Sequence, residues 1–127
     1  MKKFIVIGNP IEHSLSPKIQ NFWLKKHGIN ATYEKEKLEL SDLKKLVSRV
    51  RDGEIDGVNI TTPFKNSIIQ HLDKAIDYTS NMQKLPPDTY WGSSGLPHSV
   101  NTLFKRDNFV LGANTDTSGF LQSLNVL

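Results

Sequence analysis

The chain has 127 residues, 37% of them hydrophobic and 23% charged, which is typical of one globular domain with its own core. It contains no cysteine, which excludes disulfide bonds, thiolate zinc sites and a cysteine nucleophile, and its four histidines lack the spacing of a metal site. The 16 Lys and Arg and 13 Asp and Glu residues give a net charge of +3, and because the lysines are scattered we expect no nucleic-acid partner.

The first strand and the first helix are predicted close to the N-terminus. The apolar run from Phe4 to Gly8 is typical of a buried strand, and it is too short for a signal peptide or a membrane span. Ser16 as the N-cap and Pro17 as the first helical residue predict a helix that ends at Gly28. We therefore expect a cytoplasmic protein without a membrane segment.

Two further pairs of a strand and a helix follow. Ala31 to Lys37 predicts a strand at the edge of a sheet, with Tyr33 facing inward. Ser41 is expected to cap the second helix, and Asp56 to Thr61 to form a third strand that leads into a helix from Pro63 to His71. The second helix is predicted to bury one apolar face, formed by Leu43, Leu46, Val47 and Val50.

The C-terminal part predicts a hairpin and a last helix. Lys74 to Ser99 shows no sustained period and is interpreted as irregular. Val100 to Lys105 and Phe109 to Ala113 are expected to pair as a hairpin, and Asp116 to open the last helix. That helix is predicted to expose an apolar patch and to cause self-association through Phe120, Leu121, Leu124, Val126 and Leu127.

This alternation of strands and helices favours a single α/β domain over residues 1–127. We expect a three-layer α/β/α sandwich around a mostly parallel mixed sheet. In an open sheet of this kind, ligands bind in the crevice at the carboxyl ends of the strands.

Polar residues follow the first predicted strand, the third and, at Asp116, the last, so they would meet in that crevice. Hydroxyls of Ser14 and Ser16 beside a helix N-terminus are suited to a carboxylate or a phosphate. Asn59 and Thr61 share one face of the third strand and would flank Lys65. A lysine in the first turn of a helix costs a few tenths of a kcal/mol, which indicates a functional role.

Each of these residues also has an ordinary structural interpretation. Ser16 with Pro17 is a common helix start, and a single lysine such as Lys65 is often a solvated surface residue. Asp116 alone is typical of an N-cap, and Asn59 of a hydrogen-bonding residue at a strand end. Their joint occurrence at three strand ends favours a binding site.

Four blocks along the chain resemble the substrate-binding domain of shikimate dehydrogenase, which has the aminoacid dehydrogenase-like N-terminal domain fold. The blocks are Gly8 to Pro17, Gly57 to Lys65, Ser99 to Thr102, and Gly112 to Asp116 with Gly119-Phe120. The resemblance implies shikimate or 3-dehydroshikimate as the ligand, and hydride transfer between NADP and C3 of its ring in aromatic amino-acid biosynthesis. It implies that Ser14 and Ser16 meet the carboxylate, that Asn59, Thr61, Asn101 and Asp116 meet the ring hydroxyls, and that Lys65 and Asp116 are the catalytic pair.

The sequence departs from this family in one large respect. The family continues into a Rossmann domain with a glycine-rich loop, and no Gly-x-Gly-x-x-Gly pattern occurs in the 127 residues. We therefore assign no cofactor-binding residue, and we expect NADP to require a missing or separate domain and the chain alone to be inactive. A module that binds small carboxylates without catalysis and a fragment of a quinate/shikimate dehydrogenase remain the alternatives.

Overall fold

A computed structural model of the protein describes residues 1–77 and 99–115. The helix predicted to start at Asp116, its apolar patch and its proposed self-association lie outside the described residues. So does most of the stretch predicted to be irregular.

The described residues form six strands and two α-helices. The strands are β1 (Lys2–Gly8), β2 (Ala31–Lys37), β3 (Gly57–Ile60), β4 (Lys74–Asp77), β5 (Thr102–Arg106) and β6 (Phe109–Asn114). The helices are α1 (Ser16–Lys26) and α2 (Leu43–Arg51), with short 3₁₀ helices at Leu40–Asp42 and Ser67–His71. No described helix is long and apolar enough to cross a membrane.

The six strands form one sheet in the order β2-β1-β3-β5-β6-β4. Only β5 runs antiparallel to its neighbours, so the prediction of a mostly parallel mixed sheet is confirmed. The hairpin of β5 and β6 is also confirmed, with Arg106 opposite Phe109 and the two-residue turn Asp107-Asn108 between them. The carboxyl ends of β1, β3 and β6 therefore lie at the same edge as the start of β5.

The main core lies between the sheet and α2. The four residues predicted for the apolar face of α2 are all buried there: Leu43, Leu46, Val47 and Val50. They pack against side chains of β1 and β3 that alternate toward this face, such as Ile5, Ile7, Val58 and Ile60. The spacing i, i+3, i+4 and i+7 thus predicted this layer correctly.

The opposite face of the sheet carries α1, which has no buried residue. A small cluster of Val6, Ile11 and Tyr33 lies on this face, with Phe4 and Leu24 packed against it. Phe22 and Trp23 of α1 are 59% and 45% exposed. Helices on both faces confirm the three-layer arrangement, although the two layers differ greatly in burial.

Several predicted element boundaries are wrong. Leu15, and not Ser16, occupies the N-cap of α1. Ser41 does not cap α2, because the 3₁₀ turn before α2 starts with a capping box between Glu39 and Asp42, whose carboxylate accepts the Glu39 N–H at 2.8 Å. Lys74–Asp77 forms the edge strand β4, so these four residues are not irregular.

The predicted helix from Pro63 to His71 is replaced by turns and the 3₁₀ helix Ser67–His71. The Lys65 carbonyl accepts the N–H of Val100 at 2.8 Å, and the N–H of Ile69 bonds to Asn66 instead. A continuous α-helix would need Ile69 to bond to Lys65. Lys65 is therefore not in the first turn of an α-helix, and the argument from the helix dipole does not apply.

Candidate functional site

The carboxyl edge of the sheet collects most of the residues predicted for a binding site. Ser14 follows β1, Asn59 and Thr61 lie at the end of β3, and Asn101 comes directly before β5. The order β1-β3-β5-β6 makes these segments neighbours, and the backbone bonds them together: Ile60 N–H donates to Asn101 O at 2.8 Å. Asp116 follows the end of β6, outside the described residues.

The loop between β1 and α1 holds Ser14 and Ser16. Ile11 anchors this loop because its side chain is buried against the α1 face of the sheet, and its carbonyl accepts the N–H of Ser14 at 3.0 Å. Lys35 of β2 ties the loop from outside, donating from Nζ to the carbonyl of Glu12 at 2.7 Å. The hydroxyl oxygen of Ser14 accepts the N–H of Ser16 at 3.3 Å, so both serines belong to one turn.

The ends of β1 and β3 approach each other closely at Gly8. The N–H and the hydroxyl of Thr61 both donate to the Ile7 carbonyl at 2.9 Å. A Cβ added at Gly8 would lie 2.2 Å from Oγ1 of Thr61, so no side chain fits there. The two loops beyond this contact, at Asn9-Pro10 and Thr62-Pro63, both contain cis peptide bonds.

Lys65 lies in the turn that follows β3 and is half-buried. The neighbouring Phe64 is buried in the main core, and the Lys65 carbonyl is held by Val100. The position of Lys65 is therefore fixed by a core anchor and by the segment that leads into β5. This tertiary bond brings Lys65 to the same edge as Asn101.

Asn101 connects the start of β5 to the end of β6. Its Oδ1 accepts the N–H of Thr115 at 3.0 Å and the hydroxyl of Thr102 at 3.0 Å, and its Nδ2 donates to the Thr115 hydroxyl at 3.0 Å. Asn114 makes a second link through Nδ2, which donates to the hydroxyl of Ser99 at 2.8 Å. The amide of Asn101 thus fixes the backbone of Thr115, the residue before Asp116.

Asn59 has a partner that the sequence did not predict. The Tyr33 hydroxyl donates to Oδ1 of Asn59 at 2.6 Å, across the intervening strand β1. Asn21 of α1 in turn binds both backbone groups of Tyr33, at 2.8 and 3.0 Å. Inward-facing Tyr33 was predicted, but its link to the site depends on strand order and register, which the sequence pattern does not contain.

Two titratable groups near the loop before α1 have shifted pKa values, Glu12 and Tyr33. The pKa of the exposed Glu12 carboxyl is lowered by hydrogen bonds from its own N–H and that of Ile11, with Lys37 and His13 adding attraction. Burial raises the pKa of Tyr33 to about 12, so its hydroxyl remains a proton donor at neutral pH. The N–H groups and cations of this loop therefore stabilise the ionised Glu12 carboxylate itself.

The described residues do not fit a dinucleotide. The loop between β1 and α1 contains no glycine-rich turn, and the open side of Gly8 is occupied by Thr61. The turn into α2 carries the carboxylates of Glu39 and Asp42, which would repel a pyrophosphate. Among residues 1–77 and 99–115, no group of three His, Asp or Glu side chains could hold a metal ion.

Comparison with known proteins identifies the family. A family model described as the shikimate dehydrogenase substrate binding domain matches residues 6–83. The chain belongs to this family. The match extends from within β1 through β4 and includes five predicted site positions, Ser14, Ser16, Asn59, Thr61 and Lys65.

Individual relatives of this substrate-binding domain are NADP-dependent enzymes by name. The shikimate dehydrogenase (NADP(+)) of Pelagibacter ubique is 46% identical over 123 residues, which are 97% of this chain and 41% of the relative. The Bacillus subtilis enzyme is 37% identical over 98% of this chain and 39% of its own length. The chain thus spans about two fifths of the length of these curated relatives.

A solved structure shows the same fold. The shikimate 5-dehydrogenase of Thermus thermophilus, crystallised with NADP(H) and shikimate, aligns with a TM-score of 0.74 and 32% sequence identity. The alignment covers 99% of this chain and 42% of that one. This agreement confirms the α/β fold expected from the sequence resemblance.

Proposed function

We propose that this chain forms the shikimate-binding domain, over residues 1–127, of an NADP-dependent shikimate dehydrogenase. The reaction is the reversible reduction of 3-dehydroshikimate to shikimate. One observation supports the proposal most directly. The family match includes the segments at the carboxyl edge of the sheet that contain Ser14, Asn59 and Lys65. Because the described residues do not fit a dinucleotide, we assign to them only the binding of the substrate and the movement of its proton.

The carboxylate of the ligand is assigned to Ser14 and Ser16. Because the Ser14 oxygen accepts the N–H of Ser16, the Ser14 proton points elsewhere and is available to a ligand. Hydrogen bonds from neutral donors to a carboxylate are charge-assisted and stronger than those between neutral groups.

The ring hydroxyls are assigned to Asn59, Thr61, Asn101 and Asp116. Thr61 already donates its proton to the Ile7 carbonyl, so toward a ligand it acts as an acceptor. Asn101 has most of its amide engaged with Thr102 and Thr115, which supports a role in fixing the backbone next to Asp116. A site with both acceptors and donors distinguishes a polyhydroxylated ring from a plain carboxylic acid.

Lys65 and Asp116 are assigned to the proton chemistry. Reduction of a ketone places negative charge on its oxygen, which a positioned ammonium group stabilises and protonates. In the reverse direction the same amine accepts the proton of the hydroxyl. Asp116 follows Thr115, whose N–H is held by Asn101, and its carboxylate would orient the Lys65 ammonium.

The test is a titration of the ¹⁵N-labelled chain with shikimate, followed by NMR. We expect saturable shifts at Ser14, Ser16, Asn59 and Lys65. Ser14→Ala should weaken binding by about 10- to 150-fold, since a charge-assisted bond contributes roughly 1.5–3 kcal/mol. Ser48→Ala on the far side of the sheet, where the hydroxyl only bonds Lys44 O, is the control and should bind as the wild type does.

Two results would contradict the proposed function. The first is the absence of saturable shifts with millimolar shikimate. The second is equal affinity for shikimate and its uncharged methyl ester, because the serine pair would then not read a carboxylate. A titration with quinate under the same conditions establishes the ring preference.

Two further assignments stay predictions: cytoplasmic localisation, and self-association through the C-terminal helix. Analytical ultracentrifugation across a wide concentration range tests the last one. A clean monomer at all concentrations would contradict self-association.

A further inference from the structure

The hydroxyl of Tyr33 reaches across one strand to a predicted ligand-binding amide. Tyr33 lies on β2 and Asn59 on β3, and the strand register places both on the α1 face, with Phe4 opposite Tyr33 and Val6 opposite Asn59. The bond from the Tyr33 hydroxyl to Asn59 Oδ1 is 2.6 Å long. Neighbouring strands are about 4.8 Å apart, so only a long, rigid side chain bridges this gap.

Tyr33 is itself held from three directions. Its side chain is 7% exposed and packs with Val6 and with Ile11 of the loop that carries Ser14. Its N–H donates to Asn21 Oδ1 at 3.0 Å, and its carbonyl accepts from Asn21 Nδ2 at 2.8 Å. The hydroxyl therefore has one position relative to the sheet, which makes it a fixed reference point for Asn59.

This bond determines which end of the Asn59 amide meets a ligand. A primary amide offers one oxygen acceptor and two N–H donors. With Oδ1 bound to the Tyr33 hydroxyl, Nδ2 of the exposed Asn59 side chain is turned away from Tyr33. No described residue accepts a hydrogen bond from Nδ2, so its two N–H groups remain for a ligand.

We infer that Tyr33 is a positioning residue: its hydroxyl orients the Asn59 amide so that Nδ2 donates to a ring oxygen of the bound polyhydroxylated acid. This inference rests on the proposed function, because it takes shikimate as the ligand. Asn21 contributes by fixing the backbone of Tyr33, which links α1 to the site. Without the Tyr33 hydroxyl, the Asn59 amide rotates between orientations and presents the wrong atom part of the time.

The experiment is a double-mutant cycle with Tyr33→Phe and Asn59→Ala, using the shikimate titration of the labelled chain. Tyr33→Phe keeps the ring and should weaken binding about tenfold, the effect of one hydrogen bond of about 1.4 kcal/mol. The double variant should bind no more weakly than Asn59→Ala alone, because Tyr33 acts only through Asn59. The side-chain NH₂ signals of Asn59 should shift in Tyr33→Phe without ligand, which a merely structural role would not cause.

Asn59→Asp isolates the donor, since a carboxylate still accepts from Tyr33 but offers no N–H. It should lose more affinity than Tyr33→Phe, and affinity equal to that of the wild type would overturn the inference. Additive effects in the cycle, or unchanged binding and unchanged Asn59 signals in Tyr33→Phe, would also overturn it. If the wild type itself gives no saturable shifts with shikimate, both the proposed function and this inference are wrong. If the wild type binds shikimate and Tyr33→Phe binds it equally well, only the inference is wrong.

Discussion

The two faces of the sheet are built from different interactions. Among residues 1–77 and 99–115, the α2 face buries fifteen residues in one apolar cluster, including four from α2 itself. Among the same residues the α1 face buries five in two small clusters, Val6, Ile11 and Tyr33 in one and Leu111 and Ala113 in the other, and α1 contributes none of them. Instead α1 is tied to edge strand β2 by the amide of Asn21, which binds both backbone groups of Tyr33.

The two faces of the sheet therefore contribute to different properties of the domain, the α2 face to its stability and the α1 face to the proposed binding site. Burial on the α2 face is the dominant stabilising contribution, because the hydrophobic effect scales with the apolar area removed from water. Directional hydrogen bonds on the α1 face instead fix the polar atoms of Tyr33 and Asn59. Substitutions on the two faces should therefore affect different measurements.

The largest effect is expected from the core of the α2 face. Leu46 is 1% exposed, and Leu46→Ala removes buried methyl groups and leaves a cavity. We expect a loss of about 2–5 kcal/mol in the free energy of unfolding, measured by urea denaturation. Leu40→Ala is the matched control because Leu40 is 60% exposed, and it should change stability by less than about 0.5 kcal/mol.

Equal losses in Leu46→Ala and Leu40→Ala would contradict the assignment of stability to burial on this face. Variants of Leu46 that remain folded should still bind shikimate, since Leu46 lies on the face of the sheet opposite Asn59.

A smaller effect is expected from Asn21 on the α1 face. Asn21→Ala removes two hydrogen bonds to the Tyr33 backbone, each contributing about 0.5–1.5 kcal/mol, so we expect a loss of about 1–3 kcal/mol in the free energy of unfolding. Asn21→Asp keeps an acceptor for the Tyr33 N–H but loses the donor to the Tyr33 carbonyl. Its free energy of unfolding should therefore lie between those of the wild type and Asn21→Ala. Hydrogen exchange of the Tyr33 amide, measured by NMR, reports this bond directly, and unchanged protection in Asn21→Ala would show that α1 is held in another way.

Much of this fold could be predicted from local pattern. The bounds of β2 were predicted correctly, and the apolar face of α2 follows from the spacing of its four buried residues. The predicted helix from Pro63 failed because a distant residue, Val100, takes the Lys65 carbonyl that an α-helix would use. A strand as short as β4 at the sheet edge, with Lys74 and Asp77 at its ends, carries too little apolar pattern to be recognised.

The candidate site shows the same limit. Ser14, Asn59, Thr61 and Lys65 could be predicted as candidate site residues because polar residues at strand ends point to the crevice of an open α/β sheet. The Tyr33 to Asn59 bond could not, because it needs β1 between β2 and β3 with one particular register. Candidate ligand-binding residues can thus be predicted from motifs, whereas the hydrogen bond that links Tyr33 to one of them is visible only in the tertiary structure.

The smallest effect is expected from a polar contact beside the α2 core. The Asp73 carboxylate accepts the N–H of Val110 at 2.8 Å and pairs with Arg51, the last residue of α2, at 2.9 Å. Partial burial raises the pKa of Asp73, but the Val110 N–H, Arg51 and Lys74 outweigh this, so the pKa lies below its ordinary value. A depressed pKa means that the ionised carboxylate stabilises the fold above the unfolded pKa of about 3.9, and that this stabilisation disappears as pH falls through the lower folded pKa.

Asp73→Asn keeps the shape and one acceptor but removes the charge. It should lower the free energy of unfolding by about 0.5–1 kcal/mol at pH 7, the range for an ion pair that is partly exposed. The difference between variant and wild type should narrow below about pH 4, where the carboxylate of the unfolded chain becomes protonated, and should disappear as pH falls through the lower folded pKa. Urea denaturation at pH 7 and pH 3 measures this difference in the free energy of unfolding. A difference that stays constant with pH would show that the hydrogen bond to Val110, rather than the charge of Asp73, stabilises the fold. Even the full effect is smaller than that of one buried leucine, which is what a face stabilised by burial requires.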